Sequence, residues 1–158
     1  MRDLENKIVI VAGGRGLIGR EIVKQFKERN SIVIDADLSI ETSSKNNTFK
    51  LDLANNSSID ALVRFVMEKY ERSDALVNAA YPRTEDWGKY YFEESPFSHW
   101  ENNINLQLNS VFYLNQQVLK VMKEQNYGSI VNFGSIYGIV GNDFTIYEDY
   151  NGTSPGEY

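Results

Sequence analysis

The spacing of hydrophobic positions changes several times along the chain, and each change predicts a new structural element. Residues 7–12 form a short, unbroken, β-branched run, which is typical of a strand buried on both faces in a parallel sheet. A glycine-rich turn follows. The next apolar residues recur at helical spacing among charged ones: Ile18, Ile22, Val23 and Phe26. Residues 31–34 then predict a second strand, which completes a βαβ unit.

The alternation of strands and helices continues as far as residue 133. Residues 48–51, 74–77 and 128–133 predict three more strands. The helix between the third and fourth strands has the inward face Ile59, Leu62, Val63, Val66 and Tyr70. A long helix before the fifth strand has the packed face Leu108, Val111, Phe112, Val118, Leu119 and Met122. This order predicts an α/β protein of the Rossmann type, with a doubly wound parallel sheet in three αβα layers.

Length, charge and composition narrow the class of partner. A chain of 158 residues corresponds to one domain, which we expect to span 1–158. The net charge of −6 argues against nucleic acid as a main partner, because phosphate binding needs clustered Lys and Arg, and a small molecule is expected instead. The charged N-terminus precedes only a short apolar run, which predicts no secretory signal and no membrane span and favours the cytoplasm. With no cysteine and only His99, which we expect to be a packing or surface residue, no metal centre is predicted.

Three glycines, Gly13, Gly16 and Gly19, stand at intervals of three residues between the first strand and the first helix. In such a turn the backbone can approach a pyrophosphate, whose charge meets the free N–H groups and the positive dipole end of the helix. Leu17 and Ile18 lie inside this turn and are expected to share in binding the cofactor. A strand before the turn, a helix after it and an acidic residue at the end of the next strand together indicate a dinucleotide site.

That acidic residue is Asp37, and Asp35 lies on the same face if the strand continues to alternate there. A carboxylate at this point accepts hydrogen bonds from the adenosine ribose hydroxyls and repels the 2′-phosphate of NADP. NAD is therefore the expected cofactor, with NADP less favoured. The alternative is that both aspartates simply end the strand in solvent.

Further motifs lie at the carboxyl ends of the later strands. They are Asp52 and Leu53 after the third strand, Asn78, Ala79 and Ala80 after the fourth, and Asn-Phe-Gly-Ser-Ile-Tyr-Gly at 132–138 after the fifth. Together with the glycine turn, these motifs resemble those of the short-chain dehydrogenase/reductase family over nearly the whole chain. The resemblance implies that Asp52, with Leu53, meets the adenine. It also implies that residues 78–80 brace the sheet and line the cofactor cleft.

The resemblance implies a set of catalytic groups as well. Ser135 would hydrogen-bond the substrate oxygen, and a tyrosine with a lysine four residues after it would transfer the substrate proton. A free phenol has a pKa of about 10, so the positive charge of the lysine has to lower it. Tyr147 and Tyr150 are followed four residues later by asparagine and serine, which leaves Tyr158 as the candidate.

Several positions depart from the family pattern. Gln107 stands where the family has an asparagine that bends the long helix and holds a water, and Asn105 is the alternative. Tyr81 replaces a glycine after the fourth strand, and Ala12 replaces the threonine before the first glycine. The three-residue glycine spacing is that of the extended, sugar-nucleotide branch. The branch of the family therefore stays open.

The segment 79–92, which follows the fourth strand, mixes aromatic and charged residues. It resembles the corresponding segment of short-chain oxidoreductases linked to flagellin modification and surface-glycan biosynthesis. Aromatic faces together with Arg83 and Lys89 would suit an anionic sugar. A solvated loop whose aromatics pack on its own helix is the alternative.

Family members continue beyond the tyrosine with a lysine-bearing helix and further strands, so the resemblance implies a sheet that is incomplete at its C-terminal edge. We expect the isolated chain to keep the nucleotide-binding geometry without turnover, and the full-length enzyme to form a homo-oligomer. The main hypothesis is a short-chain oxidoreductase that transfers a hydride between NAD(H) and a carbonyl or hydroxyl carbon of a sugar-like substrate. The alternatives are an extended-type nucleotide-sugar epimerase or dehydratase and a non-catalytic NAD-binding regulator.

Overall fold

Five parallel strands form a single sheet at the centre of the protein. The structure, a computed structural model, describes residues 4–141, 143 and 145. The strands are β1 (Ile8–Ala12), β2 (Ile32–Asp37), β3 (Thr48–Lys50), β4 (Ala75–Asn78) and β5 (Ser129–Asn132). Their order across the sheet is β3-β2-β1-β4-β5, so that β1 lies in the middle and the chain crosses from β3 over to β4.

The described residues contain four α-helices: α1 (Leu17–Glu28), α2 (Asn56–Tyr70), α3 (Phe97–Ile104) and α4 (Ser110–Glu124). Helices α1, α2 and α4 pack on the sheet, and α3 packs on the segment that follows β4. A π-helical segment, Asn105–Asn109, joins α3 to α4, so that the long helix expected before β5 is interrupted in its first half. Single 3₁₀ turns lie at Phe92–Glu94 and Ile136–Gly138.

The side chains of β1 alternate between two hydrophobic cores. Val9 and Val11 face α1, where they pack with the buried Val23 of that helix. Ile8 and Ile10 face the other side, where the buried residues of α2 and α4 cover them. All five residues of β1 are buried, as the unbroken apolar run predicts. Helices on both faces of a parallel sheet confirm the Rossmann-type α/β fold.

The packed face expected for the long helix is partly wrong. Leu108, Phe112 and Leu119 are 54–64% exposed. The residues of α4 that do pack into the core are Ser110, Leu114, Val118 and Met122, which recur at a strict four-residue interval. The helix carries two apolar stripes, and the sequence pattern does not distinguish the stripe that meets the sheet from the one that meets solvent.

Strand β2 is longer than the apolar run that predicts it. It continues to Asp37 because residues 35 and 36 remain paired with β1, in register with Val11 and Ala12, and residues 35–37 also pair with β3. Both Asp35 and Asp37 therefore belong to the strand. In the parts of the chain that the structure describes, no helix has the length and hydropathy needed to cross a bilayer.

Candidate functional site

The glycine turn between β1 and α1 lies where the carboxyl ends of several strands meet. The backbone N–H of Gly13 donates to the carbonyl of Ala36 in β2 at 2.8 Å, and the N–H of Ala79 after β4 donates to the carbonyl of Ala12 at 2.9 Å. The turn is thus tied to β2, and the end of β1 is tied to the segment that follows β4. Ligands of open α/β sheets bind at this edge, beside the point where the strand order reverses.

Gly13 has to be glycine for two separate reasons. Its φ is +76°, a left-handed conformation that residues with a side chain rarely adopt. In addition, a Cβ at this position would lie 2.6 Å from the Cα of Ala80. The first turn residue therefore packs directly against the backbone of the segment after β4.

Gly19 lets the first turn of α1 lie against the glycine turn. A Cβ there would overlap the carbonyl oxygen of Gly13, and this overlap could be relieved only by moving backbone. A Cβ at Gly16 would lie 3.3 Å from the carbonyl oxygen of Gly13, so a side chain is more easily accommodated there. At Gly14 a Cβ would collide with the Oδ1 atom of Asp35, so a larger residue would require the Asp35 side chain to move.

The N-terminus of α1 opens toward this turn. Gly16 is the N-cap residue and provides no side-chain cap, so the N–H groups of the first helical turn have no partner within the helix. Leu17 is 78% exposed and Ile18 is also exposed, which leaves this end of the helix accessible. Exposed amides at a positive helix end, beside glycines that keep the backbone bare, fit a pyrophosphate.

Asp37 ends β2 beside the turn and carries a negative charge. Its Oδ2 accepts the backbone N–H of Arg15 at 3.0 Å, and its Oδ1 accepts the N–H and the hydroxyl of Ser39. Burial works to raise the pKa of Asp37, but the hydrogen bonds from Ser39 and Arg15 outweigh it and hold the pKa below its usual value. An ionised, half-exposed carboxylate can accept further hydrogen bonds, which fits its expected role as the acceptor for the ribose hydroxyls.

Asp35 lies on the same face of β2 but points into the protein. It is 3% exposed, and its Oδ2 pairs with the guanidinium of Arg15 at 3.0 Å. Burial raises the pKa of Asp35, and the charge of Arg15 opposes that rise. The alternative that Asp35 ends a strand in solvent is therefore wrong, and its burial also removes it as a ribose ligand.

Asp52 and Leu53 lie at the turn between β3 and α2. The Oδ1 of Asp52 accepts the N–H of Ala54 at 2.9 Å, and its own N–H donates to the hydroxyl of Ser58 at 3.0 Å. Leu53 is buried and lines a groove of about 630 Å³ between the start of α2 and the α3–α4 region. The groove is rich in side-chain amides, which come from Asn56, Asn102, Asn105 and Asn109.

Asn78, Ala79 and Ala80 form the end of β4 and the segment after it. Asn78 is buried, and its Oδ1 accepts the N–H of Ala80 at 3.3 Å. The same strand end is paired with Ala12 on one side and with Asn132 on the other. This segment braces the middle of the sheet where it faces the glycine turn.

The three residues expected to be catalytic are Ser135, Gln107 and Tyr158, and the structure describes the first two. Ser135 follows β5 and caps the 3₁₀ turn, with its Oγ accepting the N–H of Tyr137 at 3.2 Å. Gln107 lies at the centre of the π-helical segment, and its Nε2 is buried without a hydrogen-bond partner. The alternative Asn105 instead has its Oδ1 occupied by Asn109 at 2.7 Å. Tyr158 lies outside the described residues.

The segment after β4 is organised by aromatic contacts. Tyr81 and Trp87 meet edge to face with ring centroids 5.9 Å apart, and the indole N–H of Trp87 donates to the hydroxyl of Tyr81. The guanidinium of Arg83 lies over the Trp87 ring at 4.9 Å from its centroid. A cation and two aromatic rings are thereby gathered at the carboxyl edge of β4.

A buried cluster attaches this segment to α3. The ring of His99 is 5% exposed and its Nδ1 lies 3.0 Å from Oδ1 of Asp86. Asn103, which is fully buried, donates to the carbonyl of His99 at 2.9 Å and also to the hydroxyl of Thr84. The ring of Tyr90 meets that of His99 edge to face. His99 is therefore a packing residue, but its polar partners depend on contacts between separate elements, which the sequence pattern does not predict.

A doubly wound parallel sheet with a glycine turn at its carboxyl edge defines the Rossmann class of α/β proteins. Residues 7–148 match the family model described as short chain dehydrogenase. The protein belongs to the short-chain dehydrogenase family.

Three known proteins illustrate the similarity. Post-translational flagellin modification protein A of Campylobacter coli is 35% identical over 98% of this chain and 65% of its own length. The structure of a short-chain dehydrogenase from Leptospira borgpetersenii with bound NAD+ is 28% identical, with a TM-score of 0.80, over 98% of this chain and 59% of that one. The ligand-free aldohexose dehydrogenase of Thermoplasma acidophilum is 27% identical, with a TM-score of 0.75, over 92% of this chain and 56% of that one. This chain thus spans less than two thirds of the length of each relative.

Proposed function

We propose that this chain supplies the dinucleotide-binding part of a cytoplasmic short-chain oxidoreductase that uses NAD rather than NADP. The observation that carries the proposal is the glycine turn, in which Gly13 and Gly19 have no room for a side chain and the open N-terminus of α1 follows. The pyrophosphate would accept hydrogen bonds from the backbone N–H groups of the first turn of α1, which belong to Leu17, Ile18 and Gly19. Gly16, the N-cap residue, precedes them and leaves their N–H groups accessible. Asp37 would bind the ribose hydroxyls, while Asp52 and Leu53 would meet the adenine.

When bound, the nicotinamide supplies hydride transfer to or from a carbonyl or hydroxyl carbon. The residues of the chain serve that chemistry by handling the proton and the oxygen. Ser135 would donate its hydroxyl hydrogen to the substrate oxygen. Among the described residues its Oγ accepts the N–H of Tyr137, which leaves the hydroxyl hydrogen available as a donor. Tyr158 would pass the substrate proton. Gln107 would hold a water, since its buried Nε2 is a donor without a protein partner.

The substrate class we propose is a sugar-like molecule carrying an acid or phosphate. Support comes from the segment after β4, where Tyr81 and Trp87 offer ring faces and Arg83 offers a cation beside them. Lys89 follows in the same segment. The aldohexose dehydrogenase relative is consistent with a sugar substrate. Exposed apolar side chains, Leu108 of the π-helical segment and Phe112 of α4, support a homo-oligomer in the full-length enzyme.

Two alternatives retain specific support. The three-residue spacing of Gly13, Gly16 and Gly19 favours an extended-type nucleotide-sugar epimerase or dehydratase. Gln107 in place of the family asparagine favours a non-catalytic NAD-binding regulator. An epimerase or dehydratase would convert a nucleotide sugar with no net consumption of NAD. A regulator would bind NAD and turn over no substrate.

Calorimetric titration of the 158-residue chain with NAD+ and NADP+ tests the cofactor proposal. We expect saturable binding of NAD+ and weaker binding of NADP+, with NAD+ affinity strongly reduced by Gly19→Ala. Gly138→Ala is the matched control, because a Cβ at Gly138 would meet nothing within 4 Å. Absence of binding by the folded chain, or equal effects of the two substitutions, would overturn the proposal.

Substrate class is tested on the full-length enzyme by following NADH absorbance with aldoses, their acid or phosphate derivatives, acyl thioesters and hydroxysteroids. We expect turnover of the anionic sugars, and a rise in KM for them in Arg83→Gln. Turnover confined to acyl thioesters or hydroxysteroids would refute the sugar class while leaving the oxidoreductase proposal intact.

A further inference from the structure

The only arginine of the glycine turn has its charge directed away from the turn's open side. The guanidinium of Arg15 pairs with Oδ2 of Asp35 at 3.0 Å, and the Asp35 side chain is 4% exposed. Asp35 lies on the face of β2 that α1 covers, in register with Val11 of β1. Arg15 therefore reaches inward to a carboxylate in the interior, although about half of its side chain is exposed.

The pair is held in place by burial and by close packing. The second oxygen of Asp35, Oδ1, is buried and has no hydrogen-bond partner. Gly14 lies against that oxygen, and a Cβ there would have to displace the Asp35 side chain. Burying a carboxylate costs free energy unless a positive group compensates its charge, so the folded protein is strongly stabilised by the pairing of Asp35 with Arg15. Lys27 on α1 is the other cation in electrostatic reach, and Asp37 is the nearby anion.

Under the proposed function, the backbone of Arg15 would lie beside the adenosine ribose. Its N–H donates to Asp37, the carboxylate at the end of β2. An unpaired guanidinium at this position would be within reach of a phosphate on that ribose, and arginine binds phosphate oxygens through two parallel hydrogen bonds. The ion pair with Asp35 keeps the Arg15 guanidinium from binding such a phosphate.

We propose that Asp35 is a specificity-determining residue that disfavours NADP by keeping the guanidinium of Arg15 paired beneath the glycine turn. The inference rests on the proposed function. Asp35 acts through Arg15 and is therefore a positioning residue, distinct from Asp37, whose carboxylate faces the ribose side directly. Two carboxylates then discriminate against the 2′-phosphate of NADP. Asp37 repels the phosphate, and Asp35 pairs with the Arg15 guanidinium that would otherwise bind it.

The test is a comparison of NADH and NADPH affinities by fluorescence titration in the 158-residue chain and its variants. In Asp35→Asn the charge that holds Arg15 is removed, and we expect the affinity for NADPH relative to NADH to rise by roughly tenfold, the effect of one charge-assisted hydrogen bond. In the double variant Asp35→Asn/Arg15→Gln the ratio should return to the wild-type value. A ratio that does not change in Asp35→Asn, or a change that persists in the double variant, would overturn the proposal.

Asp74→Asn is the matched control. Asp74 is also a buried aspartate paired with an arginine, Arg72, but it lies at the opposite end of the sheet, before β4. The control changes the net charge by the same amount and should leave the NADPH to NADH ratio unaltered. A ratio that rises equally in Asp74→Asn would assign the effect to overall charge and overturn the role of Asp35.

The ion pair can also be measured without any cofactor. Thermal unfolding of the wild type, the two single variants and the double variant forms a double-mutant cycle. We expect Arg15→Gln to lower the Tm of the wild type but to have little effect in the Asp35→Asn background. Additive shifts would show that the pair does not form and would overturn this inference alone. A wild-type chain that binds neither cofactor, with non-additive shifts, would instead overturn the proposed function.

Discussion

The backbone N–H of Arg15 donates a hydrogen bond to Oδ2 of Asp37 at 3.0 Å, which joins the glycine turn to the end of β2. The same carboxylate also holds Ser39 at the start of the next segment. Asp37 is therefore at once the expected ribose ligand and a structural link between two loops. Its substitution has to be designed so that these two roles separate.

Asp37→Ser should weaken NAD binding and relax discrimination against NADP. The variant loses the negative charge and the acceptors for the ribose hydroxyls, and we expect roughly a tenfold loss of NAD affinity. Asp37→Asn is the companion variant, because it keeps one acceptor oxygen for local hydrogen bonds while losing the charge. Titration of both cofactors into both variants is the measurement, and unchanged affinities in Asp37→Ser would refute the ribose role.

Gly19→Ala should destabilise the protein as well as impair nucleotide binding. The added methyl group would overlap the carbonyl oxygen of Gly13, so the backbone of the turn has to move, at a cost of about 1–3 kcal/mol in the free energy of unfolding. Gly16→Ala meets the same oxygen at a tolerable 3.3 Å and should cost less. Urea denaturation of both variants checks the order, and an equal or larger loss in Gly16→Ala would contradict it.

The link between Asp86 and His99 should weaken in acid. Hydrogen bonds from Thr84 and His99 hold the pKa of Asp86 below its usual value. A carboxyl group whose pKa is lowered by folding contributes stability above its ordinary pKa of about 4, and that contribution is lost as pH falls through the lowered value. The attachment of the segment after β4 to α3 is therefore expected to loosen below about pH 4.

Amide hydrogen exchange in residues 84–90, referenced to that of α2, follows this change. In the wild type, protection of the segment should fall on acidification before protection of α2 does. Asp86→Asn should be less protected already at neutral pH. Asp143→Asn is the control, because the pKa of Asp143 is also lowered, by hydrogen bonds from Thr145 and not by groups of this cluster. Loss of α2 and segment protection together at every pH would argue against a local link.

Gln107→Met should lower the stability of the chain. The buried Nε2 of Gln107 has no hydrogen-bond partner in the protein, so the water proposed to bind there would satisfy it. An apolar side chain of similar length cannot bind that water, so the free energy of unfolding should fall. The same variant should lose turnover in the full-length enzyme if the amide holds a functional water.

Gln116→Met on the exposed side of α4 serves as the comparison and should change stability by less than about 0.5 kcal/mol. Chemical denaturation of the isolated chain is sufficient for both variants. A stabilised Gln107→Met would mean that the amide is left unsatisfied and would contradict the proposed water.

The parts of the fold with strong local signals could be predicted from the sequence. An apolar run such as β1 can be satisfied only by burial on both faces, and glycines at fixed spacing limit the turn to a few conformations. The position of Asp37 follows because the carboxyl ends of parallel strands meet at one edge. The ribose, adenine and catalytic roles of the site residues remain predictions.

The features that the sequence did not predict depend on contacts between distant residues. The burial of Asp35 depends on its ion pair with Arg15, twenty positions earlier in the chain, and on the continued pairing of β2 with β1. The π-helical segment around Gln107 shifts the hydrophobic phase of the long helix, so a single periodic pattern assigned Leu108 and Phe112 to the wrong face. The attachment of Asp86 to His99 likewise joins a loop to a helix.

The central position of β1 also has a consequence during synthesis. After β1 leaves the ribosome it acquires β2 as a neighbour almost at once, but β4, its neighbour on the other side, begins only at Ala75. At about 5–20 residues per second, translation leaves that edge of β1 uncovered for several seconds. During this interval the nascent chain presents an apolar strand with unpaired backbone groups, so we expect ribosome-associated chaperones to engage it until Ala75–Asn78 emerges.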